Sequence, residues 1–215
     1  MKLCVVVPVP ETMRRNNRER ILETARSLLP RYGYNGISIR AIAERAKLTT
    51  GAIYFHFKGK KEIYKTICYE AIDILIRMFR EGIDSRKTPN QKLISIFDSY
   101  TSFYHEHRDY YNILMEYKAD YASKEESDEI AKKFTELTGF TAETVEYGIL
   151  QGKFREIDPM MVSVFLAVVT EGMLQYKKLG LFEVLGISDG QFRKFMADVV
   201  DRGIGIDGKD RTASE

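Results

Sequence analysis

Residues 49–62 read TTGAIYFHFKGKKE, and they hold the side chains of this sequence best suited to chemistry. Two threonines and a glycine lead into Ile53, Tyr54, Phe55, His56 and Phe57, and lysines follow at 58, 60 and 61. His56 could act as a general base, but that role needs a positioned partner, and no nearby Ser, Cys or Asp has a nucleophile-elbow or triad-like context. A histidine at a helix end making one hydrogen bond is the commoner arrangement. His105 and His107 stand two apart, so on a helix they point to different faces, and no HExxH-type spacing occurs. Cys4 and Cys68, the only cysteines, show neither metal-ligand spacing nor a disulfide framework, which fits a reducing cytoplasm. Neither a metal, nor a cofactor, nor a catalytic residue is expected, so the chain does not read as an enzyme. Two readings of the stretch remain, a short strand or a helix end built to lie against phosphate, and an isolated strand among helices lacks a partner.

The elements that would position these residues are helical. With 215 residues, 44% of them hydrophobic, the chain can bury a real core. Ile21, Leu22, Ala25, Leu28, Leu29 and Tyr32 recur at helical spacing and stop at Gly33 and Gly36. Ser38 caps a shorter pattern of Ile39, Ile42, Ala43 and Ala46. A third short helix starts at Thr49 or Thr50, and a long amphipathic one runs from Lys60 to about Ile83. Further helices are expected near 90–107, 109–122, 125–152, 158–179 and 188–203, about nine in an all-α chain with no alternating strand pattern. No run of about 18 apolar residues suggests a membrane span. The opening residues read as a loose arm, and the Gly-rich polar end as a frayed tail.

Charge is distributed unevenly. Residues 14–65 carry 13 Lys and Arg against 4 Asp and Glu, or +9, which leaves 20 against 27, or −7, for the remainder. A basic quarter joined to an acidic body suggests that one end meets a polyanion. Two short helices crossing at Ala43, with Ile42, Leu48 and Ile53 fixing their angle, make a helix-turn-helix. Its second helix then presents Thr49, Thr50, Gly51 and Ala52 at the end that enters a major groove.

The string ILETARSLLPRYGYNGISIRAIAERAKLTTGAIYFHFKGKKEIY, residues 21–64, resembles the DNA-binding domain of the TetR family of transcriptional repressors. Gly33 with Tyr34, Ser38, Ile42 with Ala43, Ala46, Gly51, Tyr54, His56 with Phe57, Lys60 and Glu62 carry that resemblance. It implies that Arg40, Thr49, Thr50, Gly51, Ala52, Tyr54 and His56 face DNA, that Lys60 meets phosphate, and that Ser38 caps the second helix and touches phosphate. Lys47 departs from the family, which usually has glycine in the turn. If its φ is positive, lysine costs about 1 kcal/mol there, and a phosphate contact could compensate.

The organisation expected is an arm at 1–13, a helix-turn-helix domain at 14–60, an effector-binding and dimerisation domain at 61–205, and a tail at 206–215. A repressor of this kind pairs as a homodimer on a palindromic double-stranded DNA operator. The dimer surface is expected from Phe165, Val168, Val169, Gly172, Met173 and Tyr176 on one late helix and Phe192, Phe195, Met196 and Val199 on the last. A small apolar or aromatic effector is expected among Phe97, Tyr100, Phe103, Tyr104, Tyr111 and Met115, with Tyr147 and Glu171 as orienting groups. Two rival readings remain open. One is a helical enzyme or ligand-binding protein that uses the Tyr-rich body, and the other is an adaptor or nucleoid-type binder with no sequence preference.

Overall fold

The computed structural model describes residues 11–83, 87–120 and 127–205, apart from the side chains at 11–15, 118–120 and 127–130. Residues 1–10 of the arm expected at 1–13, the tail expected at 206–215, Cys4 and the first residues of the helix expected at 125–152 lie outside these residues. Ten helices form in the described residues: α1 Glu11–Gly36, α2 Ile39–Arg45, α3 Thr50–His56, α4 Lys60–Gly82, α5 Pro89–Glu106, α6 Arg108–Asp120, α7 Ser127–Leu150, α8 Pro159–Lys178, α9 Leu181–Leu185 and α10 Asp189–Ile204. The helix beyond the expected nine is α9, five residues between Gly180 (φ 72°) and Gly186 (φ 64°). It is too short to display a helical period. The first helix begins at Glu11, ten residues ahead of its first periodic apolar position.

Side-chain capping sets several boundaries. Asp158 accepts from the N–H groups of Met160 and Met161 at the start of α8, while Thr88 with Gln91 and Ser188 with Gln191 form capping boxes for α5 and α10. By length and composition alone α8 could cross a membrane, contrary to the sequence reading. Its Glu171 carboxylate accepts hydrogen bonds from Tyr100 and Gln175, and Ser163 Oγ donates to Thr138 O over 2.7 Å, so this helix packs by polar contacts as well as apolar ones.

The chain divides into two compact units, and the division runs through α4. The first takes α1–α3, α4 as far as Ala71, and α6. Its core is built from Ile21, Leu22, Ala25 and Leu29 of α1, Ile42 and Ala43 of α2, Ile53 of α3, Ile63, Tyr64 and Ile67 of α4, and Tyr111, Leu114 and Tyr117 of α6. The second takes α4 from Ile72, then α5 and α7–α10. Leu93, Val145, Phe154, Val162, Val200 and Ile204 form one buried cluster there. Phe154 lies over Gly148, where any Cβ would collide with its ring, and Arg155 donates from N to Ile204 O over 2.9 Å.

Candidate nucleic-acid interface

The α2–turn–α3 element is fixed by apolar anchors and short-range hydrogen bonds. Ile42 and Ile53 are fully buried and Ala43 nearly so, which lets the two helices approach closely. Ser38 Oγ accepts from Ala41 N at 3.1 Å, and Thr49 Oγ1 accepts from Ala52 N at the same distance. Thr49 is therefore the N-cap of α3 and Thr50 its first residue, so one lone pair of the Thr49 hydroxyl is committed to the helix. In the turn, Leu48 N donates to Ala43 O over 2.9 Å, and Arg20 of α1 reaches across to donate to Ala46 O over 2.6 Å. Lys47 is at φ 53°, the one non-glycine residue at positive φ among the described residues. The lysine therefore occupies the strained position that its departure from glycine put in question.

Ile53 points into the core, and the rest of α3 is disposed around that anchor at about 100° per residue. Thr50, Gly51, Tyr54 and Phe55 are exposed, with Tyr54 at 58% and Phe55 at 62%. Ala52 and His56 are half-buried on the flank, and His56 meets Phe55 edge to face at 5.1 Å between centroids. Arg40 and Lys47 are exposed on the same element, as is Ser38. Sequence reasoning left Phe55 unassigned. Counting positions from Ile53 would have revealed it, because Phe55 and Gly51 straddle the pole of α3 opposite the buried anchor.

Lys60, expected at a phosphate, is otherwise engaged. Its Nζ donates to Tyr34 O over 2.6 Å and Ile37 O over 2.9 Å, and lies 4.2 Å from the centroid of the Tyr34 ring. Two of the three ammonium hydrogens thus tie the start of α4 to the segment that forms the end of α1 and its junction with α2. That segment follows Gly33, at φ 65° and ψ 172° inside the helix that carries on to Gly36. Its Tyr34 N–H donates to the Glu116 carboxylate of α6 over 2.7 Å. Tyr64 of α4 donates to Ile113 O over 3.0 Å, with its ring against both Tyr34 and Tyr117. Nearby, Arg26 of α1 donates to Glu70 over 2.9 Å and to the Tyr110 hydroxyl over 2.5 Å. Burial opposes the Arg26 charge, but Glu19, Tyr110 and Glu70 outweigh it and hold the guanidinium pKa above its ordinary value. The Cys68 thiol in this unit is pushed up by burial, with the Glu116 charge adding to the effect, so it is an inert core group.

The residues expected around an effector fall into both units. Phe97, Phe103 and Tyr104 are buried in α5 of the second, whereas Tyr111 and Met115 lie in α6 of the first. Tyr100 donates to Glu171 over 2.8 Å, and Gln175 holds the other oxygen of that carboxylate at 2.8 Å. Tyr147 is exposed, with the Lys92 ammonium 4.6 Å from its ring centroid.

Those expected at a dimer surface divide by exposure. Phe165, Val168, Gly172, Tyr176 and Phe195 are exposed, while Val169, Phe192 and Val199 are half-buried. Met173 and Met196 are buried within the protomer, so their apolar surface is already used by its own core. Phe192 packs against Phe97 and Phe182 of the same unit. Met161, Val164 and Leu179 extend the exposed stripe of α8 along its length.

Residues 21–67 match the sequence pattern of the bacterial regulatory proteins, tetR family. The HTH-type transcriptional repressor KstR2 of Mycolicibacterium smegmatis is 22% identical over 167 residues, 77% of this chain and 81% of that protein. The solved structure of the ketosteroid transcriptional regulator KstR2 of Mycobacterium tuberculosis superimposes with a TM-score of 0.66 at 21% identity, covering 88% of this chain and 95% of that one. A putative transcriptional regulator from Saccharomonospora viridis, solved in complex with choline, gives a TM-score of 0.73 at 21% identity over 90% of this chain and 100% of that one.

Proposed function

We propose that this chain, which belongs to the TetR family of bacterial regulatory proteins, is a homodimeric, sequence-specific repressor released from its DNA operator by a small effector. The observation that carries this reading is the outward face of α3. Thr50, Gly51, Tyr54 and Phe55 are exposed on a helix anchored through Ile53, within a segment of charge +9. Small residues at the N-terminal end admit close approach to base edges, and the exposed cations Arg40, Lys47 and Lys58 flank them. Ser38, Thr49, Ala52 and His56 complete the DNA-facing set. Lys60 acts behind it by holding Tyr34 and Ile37 in place.

The dimer surface is the stripe of α8 with Phe195 of α10. Met161, Phe165, Val168, Tyr176 and Leu179 follow one another at intervals of three or four around Gly172, the spacing of a helix–helix seam. Together with Val164 and Phe195 these side chains expose on the order of 800 Å², close to the area one partner buries in a standard interface. Among the described residues, and apart from its chain neighbours and the backbone of its own helix, nothing lies within 4 Å of the place a Gly172 Cβ would occupy. A second copy crossing at Gly172 would use the missing side chain.

The effector reading is supported by α5, where Phe97, Phe103 and Tyr104 are buried, and by the hydrogen-bonded pair of Tyr100 and Glu171, polar groups able to orient a small apolar or aromatic molecule. An effector held there acts on DNA by favouring the form whose two α3 helices do not fit adjacent major grooves. Helix α4, which contributes to both units, is the lever. Selection of duplexes from a random pool by the full-length protein tests the function. Enrichment of a palindrome is expected, and unenriched recovery of random sequence would favour the binder without sequence preference.

A further inference from the structure

We infer that Phe55 reads a base, by packing its ring against the C5-methyl group of a thymine in each operator half-site. This rests on α3 being the recognition helix and adds to that reading the identity of a base it recognises. Phe55 lies about 200° around α3 from the buried Ile53 in one sense and Gly51 about 200° in the other, so the two stand about 40° apart and straddle the pole facing away from the core. Gly51 itself has no side chain, and beyond its neighbours and its own helix backbone an added Cβ there would come near Thr49 Oγ1, at 3.8 Å.

Phe55 is 62% exposed on a helix of seven residues, and although its ring meets His56 edge to face, most of the residue's surface faces water. The ring has no donor or acceptor for phosphate or for the polar edges of guanine, cytosine or adenine. The thymine methyl is the one apolar group that the major groove presents, and phenylalanine is among the side chains that match it. Tyr54, about 100° from Ile53, is oriented toward the groove wall, where its hydroxyl suits a phosphate; Phe55 is oriented toward the floor. The exposed cations Arg40, Lys47 and Lys58 supply the charge complementarity that brings this face onto DNA.

The test uses the full-length protein and the duplex it selects. Each thymine is replaced in turn by deoxyuracil, which keeps base pairing and removes only the methyl group, and affinities are measured for the wild type, Phe55→Ala and Phe55→Leu. Because the side chain is exposed, both variants should melt with the wild type, and a melting curve verifies this. At one thymine per half-site the wild type is expected to lose roughly fourfold in affinity, the worth of one buried methyl group, while Phe55→Ala loses nothing further there and Phe55→Leu retains part of the effect. If Phe55→Ala shows the same uracil penalties as the wild type at every thymine, or if the wild type shows none, the assignment is overturned while the recognition helix stands. If no duplex is selected at all, the recognition-helix reading fails together with it.

Discussion

The guanidinium of Arg20 donates to the carbonyl oxygen of Ala46 over 2.6 Å, so that α1 grips the turn of the helix-turn-helix one residue before its strained position. Lys47, at φ 53°, follows directly, and an L-residue with a side chain is disfavoured there. Lys47→Gly is therefore expected to stabilise the protein by about 1 kcal/mol, read from the denaturant midpoint at unchanged m-value. The same substitution removes an exposed cation, so the slope of log affinity against log salt should fall by about one if Lys47 meets phosphate. A destabilised variant would show that the strain account is wrong.

Lys60 and Lys58 should separate structural from electrostatic effects. Lys60→Ala frees the carbonyls of Tyr34 and Ile37 and is expected to cost about 1–3 kcal/mol, weakening binding to every duplex alike. Lys58→Ala, at an exposed side chain, should leave the melting temperature unchanged and lower affinity through the salt slope. Equal melting temperatures for wild type and Lys60→Ala would refute the holding role.

Gly172 should behave oppositely in fold and assembly. Within α8, Gly172→Ala removes the penalty of a helical glycine and favours the helix by up to about 1 kcal/mol. Across the seam, the added methyl group meets the partner, so the dimer should dissociate more readily. Val168→Glu, which places a charge in the stripe, should give monomers at micromolar concentration. Sedimentation measures both, and a dimer unaffected by either substitution would move the interface elsewhere.

Asp189 gives a pH dependence of known sign. Burial works to raise this carboxyl, but the hydrogen bond and charge of Lys177, with His105 alongside, more than offset burial and hold it below the ordinary carboxylate range. A depressed carboxyl contributes stability that is present above its unfolded value of about 4 and is lost as pH falls through the folded value. Melting temperature of the wild type should therefore fall more steeply below about pH 4 than that of Asp189→Asn. Parallel curves for the two proteins would remove Asp189 from the account.

The helices were legible in the sequence where capping residues and apolar period coincide, as at Ser38, Asp158 and Ser188. They were not legible where a segment is too short to show a period, as in α9, or where α1 begins in a polar stretch ahead of its first apolar position. Ile53 could be identified as an anchor because Ile42, Ala43 and Leu48, with which it fixes the crossing, lie within eleven residues of it. The task of Lys60 could not, because its hydrogen-bond acceptors are 26 and 23 residues away along the chain. Nor could the membership of α6 in the first unit, which depends on contacts such as Glu116 with Tyr34 across 82 residues. Met173 and Met196 show a related limit, since an apolar position on a helix does not reveal whether its own protomer or a second copy covers it.

The central claim is that α3 reads sequence, and a titration of the full-length protein on its selected duplex and on a scrambled duplex of equal length and composition tests it most directly. At physiological salt the selected duplex should bind at least about 1,000-fold more tightly, and Thr50→Ala, at the end of α3 that enters the groove, should reduce that ratio by weakening the selected duplex more than the scrambled one. Equal affinities for the two duplexes, with the same salt dependence, would contradict the claim.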